Sequence, residues 1–569
     1  YFPKNSLPRY NRKGMLEIVP TINRLWNTNK DSLINSAKNI IKELNSKNNT
    51  RINKNNIPVK DNLMTISFNS FERRFDEING GFKSSRNKFP KPHDYSFLIK
   101  YYYSTKNSKA LEIVNKSLYE MKKGGLYDQI GFGFHRYSTD QRWLVPHFEK
   151  MLYDQAMLIH AYLDAYILTG DIYYKEVVEE IAEYLLRDMT SENGGFYSAE
   201  DADSQGEEGT FYIWSNKELK SILNDEQYNF IYDILEFDDK GNCKVEGRYT
   251  NIPHFKLTWD EISAKYDMSI DEIKNRYHRI RKIIFDYREN RVHPQKDDKI
   301  LTDWNGLMIS ALARASVILD DSTYLLSAKE SADFIINNLM DNNGKLFKRY
   351  RNGNYGIDGM IEDYAFFIWG LIELYQADFD DKYIEIASSL ADYQIDHFWD
   401  FEHKGFYFTS NLSENLIVRS KEIYDGSIPS GNSVSSYNYI RLARILSRSD
   451  YEELAFKIIE AFSYSLKRYS AGYTVMLQAI DYMMGPSYEV VIVGNDLNRA
   501  DFINKLHLSN QFNKVLIFKD LNKKLIPELS FLENYTSDDN NKMQIYVCKN
   551  YVCNLPTSNL DEVLLQLNK

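Results

Sequence analysis

GGLYDQIGFGFHRYSTDQRWLVPHFEKMLYDQAML, residues 124–158, is the stretch whose reading decides the fold. Its first half is a glycine-rich turn set with aromatics. Its second half becomes apolar, with Met151, Leu152 and Leu158 spaced as on a helix. Pro146 suits the first helical position, where its missing N–H has no partner to lose. A helix from Pro146 puts His147, Lys150 and Asp154 at i, i+3 and i+7, on one face, with Glu149 beside them. A histidine, a lysine and an aspartate on an otherwise apolar helix predict a polar site inside a fold.

Working outward, the same unit recurs. Helical segments of ten to twenty residues are separated by loops in which glycine meets aromatics. These are GGF at Gly80, GGLY at Gly124, GGFY at Gly194, GRY at Gly247, GKLF at Gly344, GFYF at Gly405 and GYTV at Gly472. Two helices plus such a loop make a helical-hairpin repeat. Six or so hairpins over residues 63–487 predict a mainly α protein, a closed (α/α)6 barrel of inner and outer helices; an open solenoid would give a similar pattern. In a closed ring of hairpins all inner helices run the same way. Their N-termini, with partial positive charge and free N–H groups, then gather at one mouth.

The flanks read differently. Residues 1–44 carry a helical period, residues 45–62 form a polar linker or loop, and residues 488–569 form a small α/β appendage. In the appendage EVVIVG, KVLIFKD and QIYVCKNYVC read as strands and DEVLLQLNK as a closing helix. Cys548 and Cys553 form a structural thiol pair that bonds only where geometry allows.

Composition narrows the function. A chain of 569 residues with 43% hydrophobic and 26% charged residues buries a large core. The net charge of −10, with both signs interspersed, excludes a nucleic-acid footprint. Three cysteines argue against a disulfide framework and for a reducing compartment, the cytoplasm. No apolar run of about 18 residues predicts a membrane span. The first residues have no apolar signal-peptide core and no initiator Met, so the sequence reads as beginning inside a domain. The 43 Tyr and 31 Phe suit either an aromatic core or stacking platforms for sugars.

Polar residues cluster where inner helices are expected to begin. His147 follows Pro146, and His135 and Arg136 lie on the preceding turn, with Trp143 leading in. Asp303, Trp304 and Asn305 sit in LTDWNGLM, just after Asp298; Glu362 and Asp363 open the next helix, and Ser430 and Asn432 the one after. Between them, GGFYSAEDADSQGEEGTFYIW (residues 194–214) crowds Glu200, Asp201, Asp203, Glu207 and Glu208, without the spacing of an EF-hand loop. His160, His254, His278, His397, His403 and His507 read as core or surface residues. No HExxH, paired CxxC, Walker loop or GxSxG elbow occurs, and GFGF at residues 131–134 is no dinucleotide fingerprint.

PHFEKMLYDQA, GGFYSAEDADSQGEEGTFYIW, DDKILTDWNGLMISALARA and PSGNSV resemble the thioredoxin-domain-containing family that includes spermatogenesis-associated protein 20 and bacterial relatives. The resemblance runs over nearly the whole chain. It implies a thioredoxin-like domain fused to a six-hairpin barrel similar to N-acylglucosamine 2-epimerases, with residues 1–44 as the end of the thioredoxin-like part. The family's redox-type cysteine motif would lie upstream, so no thiol oxidoreductase activity is expected of this sequence.

The expected function is therefore a carbohydrate-active protein, foremost a sugar epimerase or isomerase. Its partner is a small sugar, and neither cofactor nor metal is needed. Such chemistry takes a proton next to a carbonyl, returns it, and steadies an enediolate. His147 is the acid/base, His135 or Glu362 the second group, and Arg136 and Lys150 stabilise negative charge. Asp154, Asp201, Asp303 and Asn305 orient groups, and Trp143, Glu149, Glu200, Asp298, Trp304, Ser430 and Asn432 complete the binding surface. The alternatives are a glycoside hydrolase with a carboxyl pair drawn from Asp203, Asp303, Glu362 and Asp363, and a non-catalytic scaffold serving the redox domain.

Overall fold

The computed structural model describes residues 2–7, 12–48, 60–495, 500–537, 543–549 and 551–567. Two N-terminal helices, α1 (Met15–Thr28) and α2 (Lys30–Asn48), pack on each other. Residues 49–59 of the expected linker lie outside the described residues. The barrel opens with outer helix α3 (Lys60–Arg74) and continues with α4 (Pro92–Thr105), α5 (Ser108–Lys123), α6 (Leu152–Thr169) and α7 (Ile172–Tyr184). An insertion follows, holding α8 (Asn216–Ile222), α9 (Asp225–Ile234), α10 (Trp259–Tyr266) and α11 (Ile270–Arg288). The barrel then resumes with α12 (Thr302–Leu319), α13 (Ser322–Asn338), α14 (Ile361–Asp378), α15 (Asp381–Phe398), α16 (Gly431–Leu446), α17 (Ser449–Ala461), α18 (Ser463–Tyr469) and α19 (Thr474–Met484).

Helices α4, α6, α12, α14, α16 and α19 pack each against the next, and α19 closes back on α4. Outside them lie α5, α7, α13, α15, α17 and α3. The fold is an (α/α)6 barrel. Patterning sorts the two rings. Inner α14 is apolar all round and buries every residue from Ile361 to Gln376, whereas outer α5 buries only the stripe Ala110, Ile113, Val114, Ser117, Leu118 and Met121. The closest inner contact is α12 on α14, where a Cβ on Gly306 would lie 2.5 Å from the Phe366 carbonyl carbon.

Six of the seven Gly–aromatic loops carry the chain toward an inner helix. Their backbone turns away from water and must find partners there. The turn aspartates Asp76, Asp128 and Asp400 each accept two N–H bonds from their own loop through Oδ1. Each also binds a buried lysine: Lys88 at 2.8 Å, Lys150 at 2.9 Å and Lys421 at 2.7 Å. A second device fastens the aromatic. The side-chain amides of Gln155, Asn305 and Asn432, in the first turn of α6, α12 and α16, accept from and donate to the backbone of Phe134, Phe196 and Phe406. The seventh loop differs from expectation: Gly247 turns a small hairpin inside the insertion, which has its own core of Trp214, Leu219, Ile231, Ile262 and Ile280.

The helix expected from Pro146 begins instead at Leu152. Pro146–His147 pairs with Tyr137–Ser138, and Lys150–Met151 pairs with Ala199–Glu200. In this extended chain successive side chains alternate, so His147, Lys150 and Asp154 do not share a helix face. Lys150 points into the wall, to Asp128 and the Phe132 carbonyl.

The appendage is a sheet in the order 514–520, 488–494, 544–549, 552–553, with the first two strands parallel through α20 (Ala500–His507), and α21 (Leu560–Leu567) packing on it. Cys548 and Cys553 face each other across a hairpin and form a disulfide, while Cys243 is free and buried. The appendage sits on the end opposite the mouth: Asn504 donates to the Val317 carbonyl, His507 to the Gln376 carbonyl, and Leu516 N–H to the Gln376 side chain. Helix α1, in the segment expected to end a thioredoxin-like domain, buries no residue. Among the described residues no helix is long and apolar enough to cross a membrane.

Removing a turn lysine leaves its aspartate buried and uncompensated. Lys88→Ala should cost about 3–5 kcal/mol in chemical denaturation, whereas Lys282→Ala, which breaks an exposed helix pair with Asp286, should cost under about 0.5 kcal/mol. Burial pushes the Asp76 carboxyl up, but the bonds from Lys88 and Asn79 outweigh it and hold it at about 2. With the folded value below the unfolded value of about 3.9, this stabilisation is complete above about pH 4 and is lost as pH falls toward 2. In Lys88→Ala that acid-side loss should shrink.

Candidate functional site

At the mouth, the first turns of α6, α12 and α14 present Tyr153 and Asp154, Asp303 and Trp304, and Glu362 and Asp363. Each of these acids sits beside free helix N–H groups, the reason acidic residues are common there. The extended segment before α6 adds His147 and Glu149, and the turn before it Arg136.

These groups form two linked clusters. In the first, Arg136 Nη1 meets Glu149 Oε2 at 2.9 Å, His147 Nε2 lies 3.5 Å from the same oxygen, and His147 Nδ1 is 2.7 Å from Glu208 Oε1. The Tyr137 ring stacks on His147. The Glu149 bond, then Glu208, outweigh burial and raise the His147 imidazole above its ordinary value. Behind them Asp154 is buried, and its Oδ2 has no hydrogen-bond partner among the described residues. Burial pushes its carboxyl well above its ordinary value.

The second cluster centres on Lys348, from the strand Phe347–Arg351. Its Nζ lies 2.7 Å from Asp303 Oδ2 and 3.4 Å from Asp363 Oδ1. Asp363 also accepts from the Asp303 and Met360 N–H groups, and burial, against the pull of Lys348, pushes it up to about 6. Glu362 is 9% exposed and accepts a long bond from Gly431 N–H. Burial, reinforced by Asp363 and Asp303, pushes its carboxyl up to about 8. Trp304, edge-on to Tyr153 at 4.8 Å, connects the clusters.

Several expected site residues are wall, not site. His135 is 1% exposed, hydrogen-bonds the Phe148 carbonyl and packs on Phe148 and Tyr212; burial holds it at about 3, so it carries no proton at neutral pH. Trp143 is fully buried, donating to the Asn79 carbonyl beneath Lys88. Lys150 holds the Asp128 turn, and Glu200 accepts from Tyr184. Asn305 and Asn432 spend their amides on loop backbone, and Ser430 caps α16. Asp201 and Asp203 are exposed on the acidic loop, where Asp201 turns back to the Asp203 N–H. Asp298 pairs with Arg351 at 2.6 Å.

Tyr153, Glu208 and Lys348 were not among the expected site residues. Glu208 stood in the acidic string, but its partner is 61 residues away. Lys348 lies in FKRYR, which carries no helix-start signal. Among the described residues no group of three or more His, Cys, Asp or Glu side chains is placed to hold a metal.

No protein-family model matches the chain. Human spermatogenesis-associated protein 20 is 30% identical over 98% of this chain and 75% of its own length. An uncharacterized Caenorhabditis elegans protein is 29% identical over 100% of this chain and 81% of its own. Among solved structures, a sugar epimerase from a ruminal bacterium aligns over 71% of this chain and 98% of its own at 14% identity and a TM-score of 0.30. A family 76 glycoside hydrolase (mannosidase) from Bacteroides thetaiotaomicron aligns over 72% and 98% at 11% identity and a TM-score of 0.40.

The His147 contacts predict a measurable titration. Glu208→Gln removes a carboxylate from Nδ1 and should move the imidazole titration, followed by NMR, downward. An unchanged midpoint would show that Glu208 does not hold the proton there.

Proposed function

The chain belongs to the family of spermatogenesis-associated protein 20, a name that assigns no chemistry, and we propose from the barrel itself that its mouth is an acid/base site for a small sugar, of the epimerase or isomerase class. One observation carries the reading: Glu362 is buried in the first turn of an inner helix beside Asp363 and Asp303, an environment that pushes its carboxyl up to about 8 and suits it to donate a proton near neutrality. His147 is the complementary group. In its neutral form it takes the proton next to the sugar carbonyl, and Glu362 returns one.

The surroundings fit that work. Arg136 and Lys348 supply positive charge for an enediolate. Buried Asp154 has an unpartnered oxygen for a hydroxyl. Trp304 and Tyr153 offer the apolar ring faces that sugars stack on. A glycosidase reading also has a specific observation behind it. Glu362 as a protonated acid and Asp303, ion-paired to Lys348, are two carboxyl groups on neighbouring inner helices.

The deciding experiment incubates the protein with aldoses, ketoses and oligosaccharides in deuterium oxide. An epimerase or isomerase incorporates deuterium beside the carbonyl and yields a new sugar, whereas a hydrolase releases a reducing sugar with no such label. The rate should rise on an acid limb above pH 6.5 as His147 is freed and fall on an alkaline limb near pH 8 as Glu362 ionises. Glu362→Gln should remove the alkaline limb and lower kcat by about 10²–10⁴-fold. Neither label nor hydrolysis with any sugar, on folded protein, would leave the mouth as a binding scaffold.

A further inference from the structure

Between the barrel and the appendage lies a second polar cavity, of about 100 Å³, which all six inner helices line. It is built from residues that the mouth does not use. Arg314 Nη2 pairs with Asp164 at 2.7 Å and donates through Nη1 to His160, and Arg441 pairs with Glu373 at 2.8 Å. Each arginine is thereby balanced by one carboxylate. Lys100 and Lys514 are additional. Among the described residues neither has a carboxylate within ion-pair distance; Lys514 Nζ donates only to the Gln511 and Ser509 carbonyls, and Lys100 rests on the Tyr437 ring and hydroxyl. The backbone acceptors leave one of the three Lys514 N–H bonds unspent. His93, almost fully buried on the same wall, has no hydrogen-bond partner for either ring nitrogen among the described residues.

Two ammonium groups beside two guanidinium groups in an enclosed space are expensive unless an anion completes them. Burial, then the Arg314 charge, outweigh the pull of Glu373 and push the Lys514 amine down to about 7, a cost that an anion would relieve. Arginine forks with lysine point charges are the recognition chemistry of phosphate. The size suits one such group with a small attachment, and the Trp369 and Tyr437 rings line the remaining wall. A cleft between α4 and the appendage, lined by Lys100, Tyr103, Lys106, Asp481 and Phe512, shares Lys100 and Phe512 with the cavity and adjoins it there.

We propose that this cavity is an anion site for a phosphate group, either free phosphate or that of a small phosphorylated metabolite, held by Lys100, Lys514 and the free N–H groups of Arg314 and Arg441. The site stands on the far end of the barrel and does not rest on the reading of the mouth. The appendage supplies Lys514, so a bound phosphate also ties the appendage to the barrel.

The test is calorimetry and thermal unfolding of the full chain with inorganic phosphate, glucose 6-phosphate, glucose, and sodium chloride at matched ionic strength. Phosphate or glucose 6-phosphate should raise Tm by at least about 1–2 °C at millimolar concentration, and glucose and chloride should not. A tenfold or greater preference for one phosphate source identifies it. Lys514→Met should abolish the shift while raising the Tm of the unliganded protein. Should that variant fail to fold, Lys100→Met should lose at least tenfold in affinity. Glu362→Gln, at the mouth, should keep phosphate binding unchanged. No shift with either phosphate, or a shift that survives both lysine substitutions, overturns the proposal.

Discussion

The barrel depends on backbone satisfaction where the chain turns inward. A closed ring of apolar helices leaves no water beside the loops that enter it, and an unpaired buried N–H or carbonyl costs on the order of 1–3 kcal/mol. The solution recurs around the ring: an aspartate accepts the turn's N–H groups, a buried lysine neutralises the aspartate, and a side-chain amide from the next inner helix clasps the aromatic that plugs the gap. Because these groups are spent on structure, the residues left over at the helix starts stand out. Asp154 and Glu362 occupy the same first turns yet complete no such device.

That division also explains what could be read without coordinates. Apolar periodicity and the repeated Gly–aromatic loops are local signals, and they carried the mainly helical hairpin barrel. The site was less legible because polar residues at helix starts serve two purposes with one composition. Asn305 and Asn432 look like ligand-binding amides, but their partners are Phe196 and Phe406. Lys150 looked like an active-site cation and proved to be the counter-ion of Asp128. The Pro146 signal failed for a related reason. Strand pairing with residues 137–138 and 199–200 outweighed a favourable first helical position, and pairing over such separations leaves no local trace.

The two ends of the barrel are electrostatically opposite, but not simply as helix dipoles would have it. Carboxylates belong at helix N-termini and cations at C-termini, each worth at most about 2 kcal/mol. At the mouth burial is the larger effect: moving Glu362 from 4.5 to about 8 corresponds to several kcal/mol. Burial thus sets Glu362 apart from Glu149 and Asp303, which are ion-paired to Arg136 and Lys348. At the far end Arg314 and Arg441 keep carboxylate partners while Lys100 and Lys514 have none among the described residues, and the appendage closes over them.

The ring also closes late. Ser67 of α3 bonds Ser470, just before α19, at 2.6 Å, and Thr474 of α19 bonds Asp94 of α4 at 3.0 Å, so the closing seam joins segments about 400 residues apart. A ribosome adding about 5–20 residues per second takes roughly 20–80 s to make the intervening chain. During that time the side of α4 that will meet α19 has no neighbour there. The incomplete ring is an open arc with two sticky ends, and a second arc on the same polysome presents matching ones. Synthesis, more than the finished protein, is then the moment at which the edges of this barrel are open to mispairing.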